Sequence, residues 1–327
     1  MGLPLSDIPA DATVLLSLIV LLPLVAFLLL LSFVVTLLAK KYGVVPRDRR
    51  VWLERRAVWM SAGGFLCVYL AAFLYGVFVE ARWVATTETQ LKVAQPVLGR
   101  ERTRIVHLSD LHLERVGPRE ERMVELVCQA RPDLILLTGD YINVREGAAA
   151  LDEVLTALGQ IAPVYGILGN WDSKFPTSEI FRRAKATLLI DESTLIERDG
   201  RKLRLVGQEV HPKRPLKELL RGLNDDAYTI FLSHKPDAVD ELHAREPGQR
   251  VDLFLCGHTH GGQVRLPFWG AVMTLSKYHK RFECGLYNFE GVPVYVNRGV
   301  GCQGGSSPRV RFLCRPEVAI IDLVAAK

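Results

Sequence analysis

Seven side chains, each just beyond the end of an apolar run, are of the types that bind divalent metal ions. Asp110 and His112 follow IVHLS, Asp140 follows DLILLTG, and Asn170 follows VYGILG. His234 follows YTIFLS, and His258 and His260 follow VDLFLC. Imidazoles mixed with carboxylates and an amide, without thiolates, suit two divalent ions such as Mn²⁺, with Fe²⁺ or Zn²⁺ also served. A carboxylate shared between two such ions lets them sit about 3.5 to 4 Å apart and hold a phosphoryl group. The pair lowers the pKa of a bridging water and offsets negative charge on the attacked phosphorus centre. Side chains two apart on an extended segment point the same way, so Asp110 with His112, and His258 with His260, each present two ligands to one place. One such pair alone is an ordinary cap or turn. Five loops in sequence order, each closing an apolar run, point to a metal site.

The elements that carry these loops read as an α/β fold. PREERMVELVCQA at 118–130 has Pro118 at a helix start and Met123, Leu126, Val127 and Ala130 on one face. A second helix is predicted over 150–160. Strand–helix–strand repetition builds a sheet whose ligands gather beyond the carboxyl ends of its strands. KLRLVG, YTIFLS, VDLFLC, VPVYV and EVAIIDL then provide more strands than helices and predict a second sheet. His107 points opposite to its strand neighbours and reads as structural, while Cys128 and Cys256, in apolar runs, read as small buried thiols.

The first 80 residues are of a different kind. From Thr13 to Ala39 there is no charged side chain, and a helix of that length, about 40 Å, crosses a hydrocarbon core of about 30 Å. Ala57 to Val79 is a second uncharged stretch of spanning length, with Gly63 and Gly64 permitting close helix packing. These predict a two-helix transmembrane hairpin over 1–80 with spans at 13–39 and 57–79, a linker over 81–102 and a catalytic domain over 103–327. Between the spans, Lys40, Lys41, Arg47, Arg49, Arg50, Arg55 and Arg56 stand against Asp48 and Glu54 alone. That excess keeps the loop in the cytoplasm and sends the chain beyond Val79 to the extracytoplasmic side. Residues 1–100 hold ten Lys/Arg and six Asp/Glu, leaving 31 and 30 in the remainder. A nearly neutral remainder argues against a nucleic-acid partner.

DLH, GDY, GN, His234 and GHTH, in that order across Thr103–Leu323, resemble the calcineurin-like metallophosphoesterase superfamily. The longer strings GHTHGGQVRLPFWG and VYVNRGVG resemble its bacterial membrane-associated branch, which includes YkuE-like phosphoesterases and UDP-2,3-diacylglucosamine pyrophosphatases. The resemblance implies a four-layer α/β/β/α sandwich with a two-metal centre at one end. Asp110, His112 and His260 would hold the first ion, Asn170, His234 and His258 the second, and Asp140 would bridge them. In the common form of the superfamily, the position after Asn170 is a histidine that contacts phosphate and helps protonate the leaving group, oriented by the Asp that follows. Here the pair is Trp171 and Asp172. An indole donates one N–H and cannot shuttle a proton. Three readings are open: an inactive enzyme that keeps its metals, packing beside the site, or a substrate whose leaving group departs without a proton, as a phosphate does.

The catalytic centre is thus assigned Asp140, Asn170, Trp171 and Asp172, with Arg298, Lys280 and Arg281 expected to contact phosphate oxygens. Phe268 and Trp269 either rest at a membrane interface, line a lipid groove or belong to the sandwich core. The expected function is a two-pass phosphoesterase of a bacterial cytoplasmic membrane, anchored in the lipid bilayer. Its substrate would be a phosphodiester or pyrophosphate in a phosphorylated amphipathic small molecule such as UDP-2,3-diacylglucosamine. That nucleotide sugar would require the cytoplasmic face, whereas the basic loop argues for the other. The alternatives are an extracytoplasmic phosphoesterase of broad specificity and a catalytically weak protein that binds a phosphorylated ligand.

Overall fold

The computed structural model describes residues 50–223, 226–303 and 309–326, together with Leu31, Val34, Val35 and Leu38. The chain divides into an N-terminal unit ending at Val77 and a larger unit beginning at Phe78. Helix α1 (Arg50–Phe78) runs through the described part of the first. Trp59, Met60, Leu66, Val68 and Leu70 are exposed along it. Trp59–Arg82 is the one stretch among the described residues that is long and apolar enough to cross a membrane. The predicted span over 13–39 lies outside the described residues at all but four positions, and Lys40, Lys41, Arg47 and Arg49 lie outside them too. The expected two-helix hairpin therefore reduces, in what is described, to a single apolar helix.

The larger unit begins with strand β1 (Ala85–Val93), β2 (Arg102–Leu108), helix α2 (Pro118–Ala130), β3 (Leu134–Leu137), α3 (Gly147–Ile161), β4 (Val164–Gly166), α4 (Thr177–Arg183) and β5 (Thr187–Leu188). It continues with β6 (Glu192–Arg198), β7 (Arg201–Gln208), α5 (Leu216–Leu219), β8 (Tyr228–Ser233), α6 (Val239–His243) and β9 (Leu253–Cys256). The last strands are β10 (Arg265–Leu266), β11 (Gly270–Ala271), β12 (Gly285–Phe289), β13 (Val292–Val296) and β14 (Glu317–Ala325).

Two six-stranded sheets result, ordered β1-β14-β2-β3-β4-β5 and β12-β13-β9-β8-β7-β6. Parallel strands buried on both faces need nearly continuous apolar sequence, which LILL in β3 and LFLC in β9 supply. Alternation along the strands sorts the layers. Ile105, Leu136, Leu205, Ile230 and Leu255 meet between the sheets. Val106, Leu108, Ile135 and Leu137 pack with Met123, Leu151 and Phe181 of the helices on one outer face. Val206, Phe231, Phe254 and Val296 pack with Leu216, Leu219, Val239 and Leu242 on the other. The outcome is the α/β/β/α arrangement.

Three expectations change. The predicted linker over 81–102 contains β1, which pairs in parallel with β14 along nine residue pairs. Its ATTETQLKV alternates Thr with Glu and Lys, an edge-strand pattern with one face in water, so an apolar count passes over it. EVAIIDL joins the first sheet rather than the second, inserted between β1 and β2 as β14. Cys128 is exposed on α2, whereas Cys256 is buried.

Candidate metal centre

The loops bearing the seven ligand candidates leave the carboxyl ends of β2, β3, β4, β8 and β9, strands near the middle of both sheets. Asp110, His112 and His260 form one buried group and Asp140, His234 and His258 another, the ligand atoms of each lying within 4.8 Å of one another. Asp140 stands between them: its Oδ2 is 3.2 Å from His234 Nε2 and 3.8 Å from His112 Nε2. Asp110 Oδ1 and His112 Nε2 each lie 3.2 Å from His260 Nε2. His258 Nδ1 lies 3.1 Å from His234 Nε2. Asp110 Oδ1 and Asn170 Oδ1 are buried with no hydrogen-bond partner. Buried oxygen atoms left without a donor are costly, and converging carboxylates, imidazoles and an amide are what divalent ions accept. The residues fit two divalent metal ions.

Five of the seven adopt left-handed backbone: Asp110 (φ 50°), His112 (43°), Asp140 (56°), His258 (68°) and His260 (51°). Asp110 and His112 therefore converge through left-handed backbone, not along an extended segment as the i, i+2 spacing suggested, whereas His258 and His260 part company and serve different groups. Asp and His tolerate this region better than most residues, and such strain gathers at functional sites. Close approach does the rest. A Cβ on Gly257 would lie 1.9 Å from Ser109 Oγ, and one on Gly169 would lie 2.2 Å from Asp140 Oδ1.

A surrounding layer orients the ligands. His112 Nδ1 meets Asn143 Oδ1 at 2.9 Å and His234 Nδ1 meets the Thr138 carbonyl at 2.7 Å, which turns both Nε2 atoms inward. Asp110 Oδ2 accepts from Ser109 Oγ at 2.6 Å and from the His258 backbone N–H at 2.9 Å. None of Ser109, Thr138 or Asn143 emerges from sequence reading, although Asn143 sits only a short way past Asp140 in GDYIN. Burial pushes His112 down to about 4 and His258 to about 3, reinforced by the imidazoles of His260 and His234 respectively. Burial also acts to lower His234, but the Asp140 carboxylate overrides it and raises the ring to about 9. Asp110 and Asp140 lie below the usual carboxylate range because the imidazoles outweigh burial. His107, driven down to about 4 by burial, binds Thr138 Oγ1 at 2.8 Å and belongs to the packing.

Trp171 and Asp172 take places that the sequence left open. The Asp172 carboxylate accepts backbone N–H bonds from Asp140, Tyr141 and Gly169 at 2.8, 2.8 and 2.7 Å. It clamps two metal loops together instead of orienting the side chain before it. Burial and the Asp140 charge raise it to about 7 against those three donors. Trp171 gives its backbone N–H to Asp140 Oδ1 at 2.8 Å. Its half-buried ring stands edge-on to His112 at 6.0 Å, with the Lys174 ammonium 4.2 Å over its face.

The three cationic candidates are engaged elsewhere. Arg298 binds Thr87 Oγ1 at 2.9 Å and Glu317 Oε1 at 3.3 Å. Lys280 donates to the carbonyls of Trp269 and Ala271 and pairs with Glu283 at 3.3 Å. Arg281 lies over Tyr278, Phe282 and Phe289. The partners of all three lie outside the seven-residue set. Phe268 and Trp269 are exposed, which removes them from the core.

A family described as calcineurin-like phosphoesterase matches residues 103–262. Phosphodiesterase YaeI of Escherichia coli is 34% identical over 238 residues, covering 68% of this chain and 82% of its own. Metallophosphoesterase YkuE of Bacillus subtilis is 29% identical, over 81% of this chain and 91% of its own. A transmembrane protein with metallophosphoesterase domain from Danio rerio is 25% identical, over 82% of this chain and 65% of its own.

Proposed function

This chain belongs to the calcineurin-like phosphoesterase family, a hydrolase by that membership, and from that premise we propose a membrane-anchored phosphodiesterase that cleaves a phosphodiester or pyrophosphate bond in an amphipathic substrate. The observation that carries the reading is Asp140 Oδ2 lying within reach of imidazoles from both ligand groups. Two bound divalent ions, Mn²⁺ in this proposal, would acidify a water and neutralise charge on the phosphoryl oxygens. The chain's own residues hold that chemistry in register. Asn143 and Thr138 fix the rotation of His112 and His234. Asp172 accepts from the Asp140 and Tyr141 backbones across the loops, so the loops that carry Asp140 and Asn170 cannot separate without losing those two bonds and the Trp171 N–H bond to Asp140.

Trp171 narrows the substrate. All four imidazoles of the centre belong to the ligand groups, and the indole that stands where a proton donor is expected cannot replace one. A leaving group stable as an anion, such as a nucleoside monophosphate or an aryl phosphate, matches that environment. Anchoring is supported by the apolar stretch Trp59–Arg82 and by the transmembrane designation of the Danio rerio relative. The Lys/Arg excess ahead of that stretch favours an extracytoplasmic site, whereas cleavage of UDP-2,3-diacylglucosamine would place it on the cytoplasmic face.

The test uses the purified full chain with Mn²⁺ on an aryl phosphodiester and, separately, on UDP-2,3-diacylglucosamine, alongside Asp110→Ala and Trp171→His. Metal-dependent turnover that Asp110→Ala abolishes is expected. Release of UMP would identify a nucleotide-lipid pyrophosphatase on the cytoplasmic face; aryl turnover without UMP would indicate a different amphipathic phosphodiester on the outer face. No turnover of either substrate would overturn the enzymatic reading in favour of a binding protein.

A further inference from the structure

Five residues past His260 the chain forms a small hairpin from β10 and β11 whose large apolar side chains are exposed, while Ala271 alone of its apolar residues is buried. Leu266, Phe268, Trp269, Val272 and Met273 are all exposed, Phe268 completely (110%) and Trp269 by 65%. The tip is a turn in which Pro267 precedes Phe268 and the Trp269 N–H returns to the Leu266 carbonyl at 3.2 Å. Phe268 has φ 64°, the conformation for which that position of a type II turn normally takes Gly or Asn. A bulky ring in a strained backbone and in full contact with water gains nothing from its own domain. Its apolar surface calls for a nonpolar medium outside the chain.

The base of the hairpin shows which medium. Val264 bridges Phe312, and the Arg265 N–H donates to the Phe312 carbonyl at 2.9 Å. Two residues on, the Cys314 N–H donates to Glu80, inside the apolar stretch Trp59–Arg82. The hairpin and the end of that stretch are thus rooted in one segment, 312–314, of one unit. Exposed Trp83 and Leu313 lie along the same path. Trp83 and Trp269 each carry a cation: Arg315 is 3.4 Å over the Trp83 ring and Lys280 is 4.8 Å over the Trp269 ring. Around the hairpin, Arg265 and Lys280 pair with Glu283, Lys277 pairs with Asp240 beside Asp237, and Arg281 lies over aromatic rings, four cations against three carboxylates. Amphipathic aromatic rings with Lys and Arg beside them are the composition of a membrane–water interface, and the cations complement acidic head groups.

We propose that the hairpin Arg265–Met273, with Trp83 and Leu313 at its root, is a second, non-spanning membrane contact that seats in the head-group region of an anionic bilayer. It rests on the membrane-anchored reading of the chain and is independent of which phosphoester is cleaved. The hairpin grows directly from the loop of His258 and His260, so its insertion holds the metal centre against the lipid surface.

Full-length protein is reconstituted into bilayers with brominated acyl chains, either pure phosphatidylcholine or a mixture with phosphatidylglycerol. Emission of wild type minus Trp269→Phe isolates Trp269 from the other tryptophans. We expect at least twofold quenching of that difference in the anionic bilayer and less in the neutral one. Absence of quenching in both overturns insertion, and equal quenching in both overturns anionic recognition. Protection of Trp269 from aqueous acrylamide without quenching by brominated lipid also overturns it, since a second copy or another protein then covers the hairpin. Hydrolysis of a soluble aryl phosphodiester, measured on Phe268→Ser, is expected to be unchanged. Quenching without any turnover would uphold the membrane contact while the proposed activity failed.

Discussion

Two neighbouring regions invert the usual partition of side chains in opposite senses. The metal centre encloses Asp110, His112, Asp140 and His234, each at most 1% exposed. A few residues along the chain from His260, the hairpin turns Phe268 and Trp269 outward. Burying charged or polar groups without partners is unfavourable, as is leaving large apolar rings in water. Neither cost is fully offset inside the chain: Asp110 Oδ1 and Asn170 Oδ1 keep no hydrogen-bond partner, and Phe268 stays in water. The difference teaches what each region awaits: cations for the converging ligands, a nonpolar surface for the hairpin. Both also hold non-glycine residues at positive φ, so backbone strain is present where an outside partner completes the structure.

Breaking the first region should have the largest effect. Asp140→Asn removes the carboxylate common to both ligand groups, and Mn²⁺-dependent aryl phosphodiester turnover should fall by about 10³-fold or more, beyond the 10- to 100-fold typical of outer-layer changes. A loss of less than tenfold, with unchanged circular dichroism, would remove Asp140 from its shared position. Asn143→Ala tests the outer layer: Mn²⁺ affinity, read by calorimetry, should drop by about 10- to 100-fold while the fold persists.

The pH dependence of metal loading sharpens the electrostatic half of the comparison. His112 and His258, at about 4 and 3, are already neutral at pH 7, whereas His234, at about 9, holds a proton in the metal-free protein. An imidazole must be neutral to coordinate, so that proton leaves on loading. The sign follows from the metal-free form being protonated below about 9. Mn²⁺ affinity should rise about tenfold per pH unit from 7 towards 9 and then level off. A profile flat over that range would mean that His234 is neutral before metal binds.

The smallest effect belongs to the second region. Combined Phe268→Ser and Trp269→Ser should change unfolding stability by no more than about 0.5 kcal/mol, because surface changes away from packing contacts rarely do more. A loss of several times that, in urea titrations of the detergent-solubilised chain, would show that the hairpin packs on the domain after all.

Much of the site was legible before any coordinates. Asp110, His112, Asp140, Asn170, His234, His258 and His260 stand out because each closes an apolar run, and strand ends are where an α/β sheet presents ligands. The buried face of α2 was equally plain, since Met123, Leu126, Val127 and Ala130 repeat at helical spacing. β1 was hidden, because Thr, Glu, Gln and Lys alternate on a half-wet edge strand without an apolar signature. Asp172 was assigned to chemistry by its place beside Trp171, and its three backbone bonds reach residues up to 32 positions away. Lys280 and Arg281 read in the sequence as phosphate contacts or as a solvated loop, and the Trp269 and Ala271 carbonyls and the Phe289 ring that they meet come from other parts of the fold.

The sequence by itself determined which ligand types the protein carries, in what order, and that two uncharged stretches ahead of the domain are each long enough to span a bilayer. Those are properties of local runs and their lengths, governed by periodicity and residue chemistry. Only the tertiary structure decided that Asp172 ties the Asp140 and Gly169 backbones together, that β14 inserts between β1 and β2, and that Phe268 and Trp269 face outward. Each of these is set by contacts between segments far apart in the chain, and no local pattern of side chains records which distant segment will lie beside it.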